Sequence, residues 1–141
     1  MTIRISRVLL AQMMEAAAAS PDREVCGLLL GAGGRVEALL PAANVAADPV
    51  RRFEIDPLVL LRAHKAARRG GQAVLGHYHS HPAGKAEPSP CDAGQAHGDG
   101  ALWLICTPGG DHGLWRAAGE GLHGQFVPVP LSVEPDGPDD H

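Results

Sequence analysis

Aromatic residues are scarce in this chain: two Trp, one Tyr and two Phe make up 4% of 141 residues. Its core must therefore be built mainly from Leu, Val, Ile and Ala. No Phe, Tyr or Trp falls among Arg62, Lys65 and Arg69, so the stacking platforms of a nucleic-acid surface are missing there. No apolar run approaches the ~20 residues of a bilayer span. The opening MTIRISRVLLAQMMEAAAAS turns polar too early for a signal peptide. Cysteine is limited to Cys26, Cys91 and Cys106, an odd set with no C-x-x-C pair. That fits reduced thiols in a reducing compartment better than a disulfide framework. A cytoplasmic protein is expected, free of membrane and nucleic acid, with Cys26 and Cys106 as plain core residues.

What is present fits one compact unit. The formal charge is −4, and four acids, Glu134, Asp136, Asp139 and Asp140, fall in the last eight residues. A single domain over 1–133 is expected, followed by an acidic, disordered tail over 134–141. Ser6 reads as the cap of a helix to about Ser20, with Leu9, Met13, Ala16 and Ala17 on one stripe. CGLLLG (26–31) and RVEALLPAAN (35–44) read as a hairpin about the turn AGGR. FEIDP (53–57) reads as a brief strand, after which Asp56 caps a helix with Pro57 in its first turn and its end at Gly70-Gly71. Arg62, Lys65 and Arg69 recur on that helix as a solvated face. Strands are expected over 72–80, 101–108, 112–119 and 124–130, with a short helix from Ser89 to about His97. That order implies an α/β fold, a mixed sheet with helices packed on its faces.

The stretch HYHSHPAGKAEPSPCD (77–92) carries the chemistry. Residues two apart on a strand share a face, so His79 and His81 can converge on one ion. Imidazole suits zinc, and catalytic zinc uses three protein ligands with a fourth position open. His77 lies about 13 Å from residue 81 along an extended strand, too far for one tetrahedral centre. Asp92, returned by the loop, can approach from another direction. Ser89, Pro90 and Asp92 also spell a capping box, a purely structural arrangement that is compatible with ligation because a capped helix start mounts a ligand rigidly. Hydrolysis at such a centre needs a carboxylate outside the ligand set to move a proton, and a donor for the developing oxyanion. Ser89 offers a hydroxyl one turn before Asp92. For the carboxylate, spacing alone leaves Glu24, Glu37, Glu54 and Glu87 open.

His79-Ser80-His81, seven residues, Ser89, two residues and Asp92 resemble the H-S-H-x7-S-x2-D signature of the JAMM, or MPN-plus, zinc metalloproteases of the small prokaryotic type. Pro21 to Gly31, PDREVCGLLLG, resembles the P-x-x-E-x-C-G-L-L-x-G segment of the same family. The resemblance implies a three-layer sandwich similar to cytidine deaminases, although the H-x-E and P-C-x-x-C pair of those enzymes is missing, as is the H-E-x-x-H of thermolysin-like proteases. It also implies that His79, His81 and Asp92 bind Zn2+, that Glu24 is the base and that Ser89 stabilises the tetrahedral intermediate. His77 stands where a large apolar or aromatic residue is expected, either beside the metal or as packing. Cys91 adjoins a ligand and reads as a helix-start residue pointing elsewhere. The implied activity is hydrolysis of the amide after the C-terminal Gly-Gly of a ubiquitin-like or sulfur-carrier protein, by a monomer or homodimer. A non-catalytic scaffold and a small-amide hydrolase are the alternatives.

Overall fold

The computed structural model describes residues 2–135. Eight strands form one mixed sheet: β1 (Ile3–Ser6), β2 (Cys26–Ala32), β3 (Arg35–Ala42), β4 (Ala73–Ser80), β5 (Leu102–Cys106), β6 (His112–Leu122), β7 (Phe126–Pro128) and β8 (Leu131–Glu134). The spatial order is β7-β6-β5-β4-β2-β3-β1-β8. β1 runs parallel to β3 and β8, and β4 parallel to β5; the other pairs are antiparallel. Three helices complete the fold, α1 (Arg7–Ala19), α2 (Pro57–Arg68) and α3 (Pro90–Gln95).

Strand alternation sorts the layers. Leu29, Tyr78 and Leu104 pack with Leu10, Met13 and Ala17 of α1. The opposite face turns Leu28, His77 and Trp103 toward Leu60 and His64 of α2. The expected α/β sandwich is therefore present, with α1 on one side and α2 and the 52–55 segment on the other.

Local chemistry explains most boundaries. Ser6 Oγ accepts from Leu9 N at 3.1 Å and caps α1. The buried stripe of α1 is Leu10, Met13 and Ala17; Met13 and Ala17 are as expected, whereas Leu9 is only half-buried and Ala16 is exposed. Gly33 and Gly34, both at positive φ (62° and 76°), close the β2–β3 hairpin. Asp56 Oδ1 accepts from Leu58 N and Pro57 occupies the first turn of α2, as expected.

Three expectations need correction. Residues 53–57 form no strand, only an isolated bridge between Asn44 and Ile55, because Asp56 and Pro57 turn the chain into α2 directly after it. β1 was not anticipated: four residues with two buried isoleucines give too short an alternation to register. β8 extends the packed unit through Glu134, which pairs with Ser6 and whose carboxylate meets Arg35 at 2.7 Å. Glu134 thus does not belong to a loose tail, and residues 136–141 of that expected tail lie outside the described residues.

Candidate metal centre

Four side chains from three elements meet on the α2 side of the sheet. His79 lies within β4 and His81 just past its end; Asp92 sits in the first turn of α3 and Glu24 immediately before β2. One donor atom from each falls within 4.8 Å of the others, and all four residues are buried. His79 Nε2 and His81 Nε2 are 3.1 Å apart, and they lie 3.3 and 3.1 Å from Asp92 Oδ2.

With His81 donating from Nδ1, neutral His79 has at most one proton to serve the three atoms of that triangle. His81 Nδ1 donates to the carbonyl of Lys85 at 2.9 Å, so the neutral ring presents a lone pair at Nε2, facing a carboxylate oxygen and a second imidazole nitrogen. Buried acceptors pointed at one another repel unless a cation lies between them. Tetrahedral zinc with bonds of about 2.0–2.1 Å places its donors about 3.3 Å apart, close to the separations seen. The donor set fits zinc, with two imidazoles and one carboxylate as ligands and one position left open.

Electrostatics record the same crowding. Burial would raise the Asp92 carboxyl, but the hydrogen bonds of His79 and His81 outweigh it and hold the group far below the usual carboxylate range. Burial drives His79 down against the pull of Asp92. For His81, burial acts downward, yet the bonds to Asp92 and to the Lys85 carbonyl leave it raised. Glu24 is pushed up to about 7 by burial, with His81 pulling it down and Asp92 and Asp48 pushing it further up. Its Oε1 is buried without a partner. A carboxylate poised near neutrality is suited to taking and returning a proton.

Ser89 is the N-cap of α3. Its Oγ accepts from Asp92 N at 3.0 Å, while Asp92 Oδ2 accepts from Ser89 N at 2.9 Å. The capping box and the converging carboxylate thus use the same aspartyl oxygen. The Ser89 hydroxyl keeps its proton free to donate.

His77 is not among the converging donors. It packs edge-on to Trp103, with centroids 4.3 Å apart, and beside Phe53 at 5.1 Å. Burial lowers it to about 3, with His79 adding to the effect, so this ring is neutral packing. Cys91 is exposed, whereas Cys26 and Cys106 are buried, and burial pushes both buried thiols up to about 12.

Three further residues outside the predicted site set support the centre. Ser80, between the two histidines, is fully buried; its Oγ accepts from Val25 N at 2.9 Å and its N donates to Val25 O at 3.0 Å. This clasps the Glu24 segment to β4. Asn44 Nδ2 donates to the Glu24 carbonyl at 2.8 Å, and Glu24 N donates to Pro49 O at 2.7 Å. Phe53 stacks on His79, centroids 4.2 Å apart and 21° between planes. The scarcity of aromatic residues was the one available pointer to Phe53. Beside the centre lies a cavity of about 960 Å³, bounded by Phe53, Ile55, Leu60, His77, Ala96 and Trp103 among others.

Residues 6–118 match the family model of prokaryotic homologs of the JAB domain. A desampylase of Haloferax volcanii is 38% identical over 104 residues, covering 72% of this chain and 75% of that one. A probable TtuB-protein conjugate cleaving protease of Thermus thermophilus is 48% identical over 71 residues, half of this chain and 48% of the other. The crystal structure of a JAB1/MPN domain protein from Archaeoglobus fulgidus shares the fold, with a TM-score of 0.59 and 22% identity over 92% of this chain and 97% of that one.

Proposed function

The chain belongs to the family of prokaryotic JAB-domain proteins, and we propose that it is a zinc metallopeptidase that cleaves the amide after a C-terminal Gly-Gly of a ubiquitin-like or sulfur-carrier protein. The observation that carries this reading is the triangle of His79, His81 and Asp92 with the unpartnered Glu24 carboxylate within 4.8 Å. In this proposal the two histidines and Asp92 hold the ion. Zinc held there supplies Lewis acidity, which acidifies water toward neutrality and polarises a carbonyl. Glu24 accepts the proton of the attacking water and passes it to the departing amine, a task matched to a carboxyl raised to about 7. The Ser89 hydroxyl, its oxygen already engaged by Asp92 N, directs its proton at the oxyanion.

The relatives support the substrate class through their names, a desampylase and a protease of protein conjugates. A glycine-ended tail suits a buried centre, because residues without side chains can approach it closely. All four converging residues come from one chain, so a monomer suffices. Residues 1–133 with the rest of β8 form the working unit, and free thiols at Cys26, Cys91 and Cys106 support a reducing, cytoplasmic setting.

The test presents zinc-loaded protein with two substrates: a Gly-Gly-ended ubiquitin-like protein joined to a lysine, and a sulfur carrier bearing a C-terminal cysteine. Mass spectrometry follows the release. Cleavage after Gly-Gly is expected, lost on chelation, and reduced ~10²–10⁴-fold by Glu24→Gln with zinc retained. Intact substrates, or cleavage indifferent to zinc and to Glu24, would overturn the proposal.

A further inference from the structure

The path from His81 to Ser89 contains neither helix nor strand, yet its carbonyls are gripped one after another. Lys85 O accepts from His81 Nδ1 at 2.9 Å, Ala86 O from Trp115 Nε1 at 3.3 Å, and Pro88 O from His123 Nε2 at 3.1 Å. The first grip belongs to the donor triangle. The other two come from β6 and the turn beyond it, 29 and 35 residues away in sequence.

Two features show that this approach is built rather than incidental. Gly113, two positions before Trp115 on β6, passes so near the loop that a Cβ there would lie 2.5 Å from Ala86 O. His123 has φ of 53°, the one non-glycine residue in the left-handed region among the described residues. A side chain is costly in that conformation, although a glycine would serve the turn without cost. What the turn gains from a histidine is the reach of its imidazole to Pro88, the residue next to Ser89.

We propose that Trp115 and His123 are positioning residues for the metal centre: by holding the carbonyls of Ala86 and Pro88 they fix where Ser89 begins α3 and where Asp92 Oδ2 meets His79 and His81. The inference rests on the metal-centre reading above. Partners that orient ligands from outside the coordination sphere govern affinity and geometry, and their removal weakens metal binding by ~10–100-fold.

Two substitutions test it in the full chain. Trp115→Phe keeps a ring and deletes one N–H; His123→Gly deletes the imidazole and frees the backbone of its left-handed penalty. Zinc affinity is measured by competition with a chromophoric chelator, ligand geometry by the visible absorption of the cobalt-substituted protein, and stability by melting of the metal-free protein. The expected result is zinc binding weaker by ~10–100-fold in each variant with an altered cobalt band, while metal-free His123→Gly melts at or above the wild-type temperature. Wild-type affinity and cobalt spectra in both variants overturn the positioning role, as does a lowered metal-free melting temperature with affinity unchanged. Wild-type protein that binds no zinc would refute the metal centre itself, an outcome distinct from tight wild-type binding with unchanged variants.

Discussion

Asp92 Oδ2 lies 2.9 Å from Ser89 N and within 3.3 Å of two imidazole nitrogens, so a single oxygen answers both readings of Ser-Pro-Cys-Asp. Asp92→Asn is expected to abolish tight zinc binding and, in the metal-free protein, to cost ~1 kcal/mol from the weakened cap; denaturant melts with and without zinc separate the two losses. Glu24 predicts a pH dependence of opposite sign to the usual carboxylate. Its folded value, about 7, stands above the 4.5 of a free glutamate, so the folded chain holds a proton that the unfolded chain releases. Stability of the metal-free protein should fall as pH rises from about 4.5 to 7 on account of this group, by of order 3 kcal/mol. Glu24→Gln should remove that fall, giving a variant more stable than wild type at pH 8 and equal to it at pH 4, as read by urea melts across pH. The four converging residues were legible because three sit within fourteen positions and the fourth lies in a second motif. The roles of Ser80, Asn44 and Phe53 were not, although Ser80 stands in the H-S-H motif, since each acts through a contact 20 or more residues distant.

Elements were legible where turn chemistry punctuates them. Ser6, Gly33-Gly34, Asp56-Pro57 and Ser89-Pro90 each mark a boundary that the structure respects. The misreadings share a cause. β1 and β8 have four residues each, and they exist only because β1 pairs with β3 and β8 with β1. The 53–57 segment has strand composition but makes a single bridge before Asp56 and Pro57 open α2, and its Phe53 stacks on His79 instead of extending a ladder. The β2–β4 pairing has its own requirement at Gly27, where a Cβ would come within 2.4 Å of the Tyr78 hydroxyl. Tyr78 is buried against α1, so its ring must shift within the core to make room. Gly27→Ala should therefore destabilise the fold by ~1–3 kcal/mol, measured by chemical denaturation. Because Gly27 follows Cys26, which pairs with His79, the same variant should also bind zinc less tightly.

At the scale of the whole molecule, the sheet separates two environments. The α1 face is an apolar core, whereas the other face carries every group of the centre. Metal-free protein should stay folded on the strength of the first face, and zinc should add stability by mass action, about 4 kcal/mol at a thousandfold excess over the dissociation constant. Chelation is accordingly expected to lower the melting temperature by several degrees without abolishing the cooperative transition, as calorimetry would show. Among the described residues no helix is long and apolar enough to cross a membrane. α3 is six residues long, too short to persist as an isolated helix, and its capping oxygen is the one that faces the two imidazoles. Winding of this turn and capture of the ion are thus a single equilibrium. Emptying the centre should let the Pro90–Gln95 amides exchange with solvent faster than those of α1, so that the peptide backbone itself reports whether the enzyme is loaded.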